Sequence, residues 1–230
     1  MACSVDQGQW QIESDLFNGS FQSTGGVTTD TYYATNPTLK YGLTKTVDLE
    51  VNVAPYEAVR TRDATGAVST LGGVGDLFLR VKDNFYNSVD GSLSMAVIPY
   101  VKAPTARLGV GDGAWEGGVI APVDYKLTSK LTLALAPELD LLKDADDEGR
   151  HVNTAQLINL SYSLPANLTV YGELWGDWNF DPAGTIRQYS ADVAAAWGAS
   201  RYLQLDAGLN FGLSRSTPGV QVYFGVSQKF

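Results

Sequence analysis

The residues best placed to do acid–base chemistry are carboxylates two positions apart, Asp48 with Glu50 and Glu138 with Asp140. Such a pair can supply a proton donor and an acceptor on one face of a strand. The same spacing is also what any strand with an acidic face produces. Nucleophilic catalysis needs a base beside the nucleophile. The single histidine, His151, falls between Arg150 and Val152 in what reads as a long solvated loop, with no serine beside it in the pattern. Cys3 is the single cysteine, which excludes an internal disulfide or a thiolate-built metal site. The acidic run at residues 144–148 lacks the spaced ligands and central glycine of a calcium loop. The glycine-rich stretches at residues 73–76 and 109–113 precede no helix, so they lack the context of a phosphate cradle. The expectation is therefore a protein that is not an enzyme, with no metal and no cofactor.

What positions these residues is visible in composition and periodicity. The chain has 230 residues with 16 Lys+Arg against 25 Asp+Glu, a net charge of −9. That balance argues against nucleic acid as a partner. No apolar run approaches the roughly 18 residues of a membrane helix, and the longest, residues 95–101, contains Pro99. The opening residues lack a basic stretch followed by an apolar one, so a mature form without signal peptide is expected. Residues 1–7 read as a flexible N-terminal segment and residues 8–230 as one domain.

Apolar and polar residues alternate almost from end to end, the mark of strands with two different faces. In residues 47–53 the odd positions Val47, Leu49, Val51 and Val53 are apolar, and Leu131, Leu133, Leu135, Leu139 and Leu141 repeat the pattern. The alternation predicts about twelve strands, near residues 8–18, 30–41, 47–56, 75–85, 92–102, 114–126, 131–141, 153–163, 167–178, 188–198, 202–213 and 219–230. Most exceed the roughly 5–6 residues of a globular strand and match the about 9–11 of a tilted strand crossing a bilayer. Short turns follow the even strands, and longer polar loops, among them residues 18–29, 57–74 and 142–152, follow the odd ones. This is the asymmetry of an all-β, antiparallel, up-and-down transmembrane barrel of the bacterial outer membrane, with lipid as its surroundings.

Aromatic residues provide an independent test. The apolar parity ends at the short-turn side in Tyr41, Phe85, Tyr125, Tyr162, Trp197 and Phe230, and at the other rim includes Tyr33, Trp115, Trp178, Tyr189 and Phe211. Two belts on one parity are expected of membrane girdles. The last strand alternates to a terminal Phe230 and resembles the C-terminal signal that outer-membrane barrels present to the barrel-assembly machinery.

The opposite parity then lines a lumen. It carries Glu50, Asp76, Glu116, Glu138, Glu173, Asp192 and Asp206, with Asp48, Asp124, Asp140 and Asp177, against Arg80, Lys82, Lys40, Lys126 and Lys229. An acidic lining favours cations. Inward Tyr171 and Trp175, with Phe78, Tyr100 and Tyr223, narrow the bore or stack on a solute. About twelve strands lie between a barrel filled by its own side chains and an open porin.

Three segments, Pro37-Thr38-Leu39-Lys40-Tyr41-Gly42-Leu43-Thr44, Gly73-Val74-Gly75-Asp76-Leu77-Phe78, and Ala103-Pro104-Thr105 leading to Gly113-Ala114-Trp115-Glu116, resemble a bacterial family of outer-membrane transporters associated with the meta-pathway of phenol degradation. The resemblance covers residues 37–126. It implies a channel or transporter for small solutes, including aromatic or hydrophobic compounds, with no catalytic residues. Glu50, Asp76 and Glu116 stand out as the first lumen constellation. The alternative is a closed structural barrel that meets partners through loops 57–74 and 142–152.

Overall fold

The computed structural model describes residues 2–230, and no helix occurs among them. Fifteen strands follow one another: β1 (Trp10–Thr24), β2 (Val27–Gly42), β3 (Val47–Val53), β4 (Tyr56–Arg62), β5 (Val68–Gly73), β6 (Leu77–Asn87), β7 (Leu93–Ala103), β8 (Glu116–Ile120), β9 (Val123–Lys126), β10 (Leu131–Lys143), β11 (Arg150–Ser163), β12 (Leu168–Asn179), β13 (Ile186–Gly198), β14 (Leu203–Gly212) and β15 (Val220–Lys229). All ladders are antiparallel, and β1 pairs with both β15 and β2, which closes the sheet. β8 and β9 are two halves of one stave: both pair with β7 and β10 and are separated by Ala121-Pro122. Counting them as one and setting aside the β4–β5 hairpin leaves a twelve-stave barrel.

The twelve expected strands are all present, but two expected loops are not loops. Residues 18–29 continue β1 into β2 through Gly25-Gly26, whose φ values of 60° and 81° are those a tight hairpin turn demands. Residues 57–74 form the β4–β5 hairpin, which pairs with the upper half of β2. The break falls at Ala54-Pro55, where a proline cannot donate to the ladder. Within residues 1–7, read as a flexible segment, Ala2 and Val5 are buried against inward side chains of the barrel. Ala2 is fully buried, its amide donates to Asp124 at 2.7 Å, and Val5 donates to Asp48 at 2.9 Å.

Burial is inverted relative to a water-soluble domain. The buried polar set includes Asp48, Glu50, Lys82, Lys102, Asp140, Asn153 and Asp192, while Leu49, Val51, Leu79, Val81, Leu174 and Val193 are exposed. Monomeric soluble proteins rarely expose contiguous apolar surface on this scale, and a closed sheet with an apolar outer band is one of only two ways for a chain to span lipid. At the short-turn rim Phe85, Tyr125, Tyr162, Trp197 and Phe230 stand exposed on that outer surface, and Trp10 stacks on Tyr41 with ring centroids 4.6 Å apart.

Val193 sits on β13 midway between Trp197 and Tyr189 and is 52% exposed. Val193→Arg is expected to cost about 2–4 kcal/mol of folding stability in lipid vesicles, measured by urea unfolding. A surface position of a water-soluble barrel would lose almost nothing.

Candidate functional site: a lumen with two charge clusters and an unpaired acidic wall

The inward side chains divide into three regions. Toward the short turns, Lys40 on β2 lies 2.6 Å from Glu13 and 3.8 Å from Glu50. Lys82 on β6 lies 3.0 Å from Glu50 and 3.8 Å from Asp48. These contacts follow from register: Lys40 opposes Glu50 across β2 and β3, and Glu50 opposes Arg80 across β3 and β6. The N-terminal segment docks on this cluster. Val5 donates its amide to fully buried Asp48, and Lys82 donates to the Cys3 carbonyl at 3.4 Å. A cavity of about 790 Å³ surrounds the segment, lined by Glu13, Lys40, Glu50, Arg80 and Lys82 among others.

Toward the long loops, one ammonium gathers three carboxylates. Lys102 on β7 lies 2.6 Å from Asp112, 2.7 Å from Glu116 and 3.4 Å from Asp76. Each carboxylate also accepts a backbone amide: Asp76 from Ala106, Asp112 from Ala114, and Glu116 from Lys143. Together with Thr105 donating to the Gly75 carbonyl, these bonds fasten residues 104–115 onto the start of β6. Burial pushes the Asp112 carboxyl up, but the Lys102 ammonium and the Ala114 amide outweigh it and hold it below the usual carboxylate range.

The third region is the wall from β10 to β14. Glu138, Asp140, Glu173, Asp177, Asp192 and Asp206 make no ion pair among the described residues. Asp140, Asp177, Glu173 and Asp192 accept from neutral donors. Tyr100 reaches across Gly118 to donate to Asp140 at 2.6 Å, a path open because Gly118 has no side chain between them. Asn153 bridges Asp140 and Asp177 at 3.1 and 2.8 Å, and Asn159 donates to Glu173 at 3.0 Å.

The structure thus brings Asp76 and Glu116 together at Lys102, while Glu50 belongs to the other cluster; they do not form one constellation. Tyr33, read as outward, lines an inner cavity with Glu57 and Asn36, because a bulge in β2 between Tyr33 and Thr35 shifts the parity. His151, read as a solvated loop residue, is 8% exposed at the start of β11. Its Nδ1 lies 2.8 Å from Asp144 and 3.5 Å from Asp181, so it joins two loops of the long-loop end. The three donor atoms lie within 4.8 Å of one another, a spacing at which a divalent cation could also be held. The Ala183 and Ala145 amides and the nearby His151 hold the Asp181 carboxyl below its ordinary range. Sequence reasoning missed these pairings because Asp181 is thirty positions from His151 and no periodicity links two loops.

A closed antiparallel barrel, apolar outside and charged within, with both rims marked by aromatic residues, defines a bacterial outer-membrane β-barrel. The chain belongs to the family described as "Putative MetA-pathway of phenol degradation", whose model matches residues 2–230. Among solved structures, the fold is similar to an outer membrane channel from Pseudomonas putida F1, with 17% identity, TM-score 0.79, and coverage of 100% of this chain and 98% of that one. It is also similar to the beta domain of the Bordetella autotransporter BrkA, with 13% identity, TM-score 0.60, and coverage of 98% and 100%. A third is the CymD monoaromatic hydrocarbon channel, with 7% identity, TM-score 0.53, and coverage of 98% and 88%. No curated protein matches the sequence.

Lys102→Met leaves Asp76 and Glu116 buried without a counter-charge and is expected to cost about 3–5 kcal/mol by urea unfolding. The triple variant with Asp76→Asn and Glu116→Gln is expected to recover most of that loss. A second expectation concerns pH. A carboxyl held below its ordinary value stabilises the folded loop above the usual carboxylate range and loses that contribution as pH falls through its own lowered value. Hydrogen exchange at the Ala114 amide, normalised for the intrinsic pH dependence, should therefore lose protection only once the pH drops below the ordinary carboxylate range.

Proposed function

We propose that the barrel is a passive channel for small solutes, selective for cations and admitting aromatic or hydrophobic compounds. The observation that carries this reading is the unpaired acidic wall. Lys40, Lys82, Lys102 and Arg80 stand on β2, β6 and β7, whereas on β10 to β13 Asp140, Asp177, Glu173 and Asp192 accept only from neutral donors. An entering cation meets negative potential along that side. Tyr171, Trp175 and Tyr223 interleave with the carboxylates and give a ring-bearing solute faces to stack on. The likeness of the fold to a monoaromatic hydrocarbon channel agrees with that solute class.

Among the described residues no catalytic constellation supports an enzymatic alternative: His151 is tied to Asp144 and Asp181 rather than to a nucleophile. Glu50, Asp76, Arg80, Lys82 and Glu116 act in this reading as wall-bracing groups, and Glu138, Glu173, Asp192 and Asp206 as the solute-facing ones. Tyr41, Phe85, Tyr125, Tyr162, Trp197 and Phe230 anchor the periplasmic interface, and Trp115 and Trp178 the outer one. The alternating last strand with terminal Phe230 is the segment for the barrel-assembly machinery. The N-terminal segment inside the short-turn end favours a second reading, a barrel that stays closed and serves through its loops.

Planar-bilayer recordings under a salt gradient separate the two. A channel gives stable current steps whose reversal potential marks cation preference. Removing residues 2–7 raises the step size, and Glu138→Gln with Asp140→Asn lowers the preference. A folded, inserted barrel that passes no current with or without residues 2–7 is the closed barrel, and unchanged selectivity in the double variant removes the acidic wall as its source.

A further inference from the structure

We infer that the acidic wall contains a defined binding site for an organic ammonium carried on an aromatic or apolar body. Glu173 on β12 and Asp192 on β13 are directly opposed in register, so two carboxylates share one spot on the inner face. Like charges placed directly opposite destabilise a sheet. Asp192 is 8% exposed; Ser190 donates to its Oδ2 at 3.1 Å, while its Oδ1 is buried without a partner. A buried ionised oxygen without a donor is costly, and a cation seated between the two carboxylates removes both penalties at once.

The space for such a ligand is present. Two adjoining cavities of about 250 and 270 Å³ share Glu173, Asp192 and Asn210 on their walls. Taken together they fall within the roughly 300–1,000 Å³ of small-molecule sites. Asp206 borders the first of them, and no ion pair reaches Glu173, Asp192 or Asp206 among the described residues.

The lining selects an organic cation over a bare metal ion. Tyr171 and Tyr223 wall the first cavity and Trp175 the second. A Cβ at Gly208 would lie 2.5 Å from the Tyr223 ring, so the glycine lets that ring lie against the wall and present its face. Aromatic faces attract ammonium groups within about 6 Å, and an ammonium has three donors to spend on carboxylates. A metal ion would use the carboxylates and leave the three rings without a role.

The assignment rests on the channel reading only for how the ligand arrives; binding to the detergent-solubilised barrel requires no current. Phenethylammonium is the probe, with 2-phenylethanol as its uncharged counterpart and calcium as the metal control, measured by calorimetry and by quenching of tryptophan emission. Saturable binding of the ammonium, at least tenfold tighter than the alcohol, and weakened at least tenfold by Asp192→Asn and by Glu173→Gln, is the expected result. Each variant is first shown to be folded by its heat-modifiable mobility on a gel. Equal binding of ammonium and alcohol, unaltered affinity in both folded variants, or calcium binding with no ammonium binding overturns the assignment. Binding by a barrel that carries no current upholds the site and removes the channel, whereas current without binding does the reverse.

Discussion

Lipid offers no partner for a backbone amide or carbonyl, and that constraint organises the molecule. A sheet placed in hydrocarbon must close on itself, because an open edge would leave a row of unpaired groups. The β1–β15 ladder supplies the closure, with ten residue pairs from Gln11↔Lys229 to Phe21↔Val220. Once the sheet is closed, every strand has one face to lipid and one to the lumen. The two-residue period of the side chains then decides what each residue meets. Leu49, Val51, Leu79 and Val81 go out; Asp48, Glu50, Arg80 and Lys82 go in, at adjacent positions of the same ladder.

That parity was legible in the sequence because it is local. The strand ranges, the aromatic rims and most inward charges follow from alternation alone. What was not legible is what depends on pairing between distant strands. Lys102 meets Asp76 because β6 and β7 form a hairpin, and meets Glu116 because β8 pairs with β7 in the register that opposes them. Nothing in the spacing of these residues separates that cluster from the one at Glu50. Bulges erase the parity where they occur, which is why Tyr33 faces inward. Polar sequence was also an incomplete guide to loops: residues 57–62, with Glu57, Arg60, Thr61 and Arg62, and residues 68–73, ending in Gly72-Gly73, pair into a hairpin that covers the edge of the upper half of β2.

The same logic accounts for the N-terminal residues. Asp48 is fully buried at the short-turn end, where Lys82 lies 3.8 Å away and is shared with Glu50. An amide from Val5, donated to both of its oxygens, completes the solvation that water would otherwise supply. Residues 1–7 have no apolar periodicity and read as a flexible segment in the sequence, and it is Asp48, Lys82 and Asp124 inside the closed wall that give Val5, Cys3 and Ala2 their partners.

The charge distribution is uneven around the barrel as well as along it. On the β2–β7 side, carboxylates and lysines neutralise each other and brace the wall and the loop over residues 104–115; on the β10–β14 side, Asp140, Asp177, Glu173 and one oxygen of Asp192 accept from Asn153, Asn159, Ser190 and Tyr100, none of which carries charge. A neutral donor fixes the position of a carboxylate without supplying the counter-charge that a lysine supplies on the other side. The braced side bears the structural work of holding the N-terminal segment and the long loop. The wall without ion pairs has no share in that work, and the cavities walled by Tyr171, Trp175 and Tyr223 lie against it rather than against the braced side.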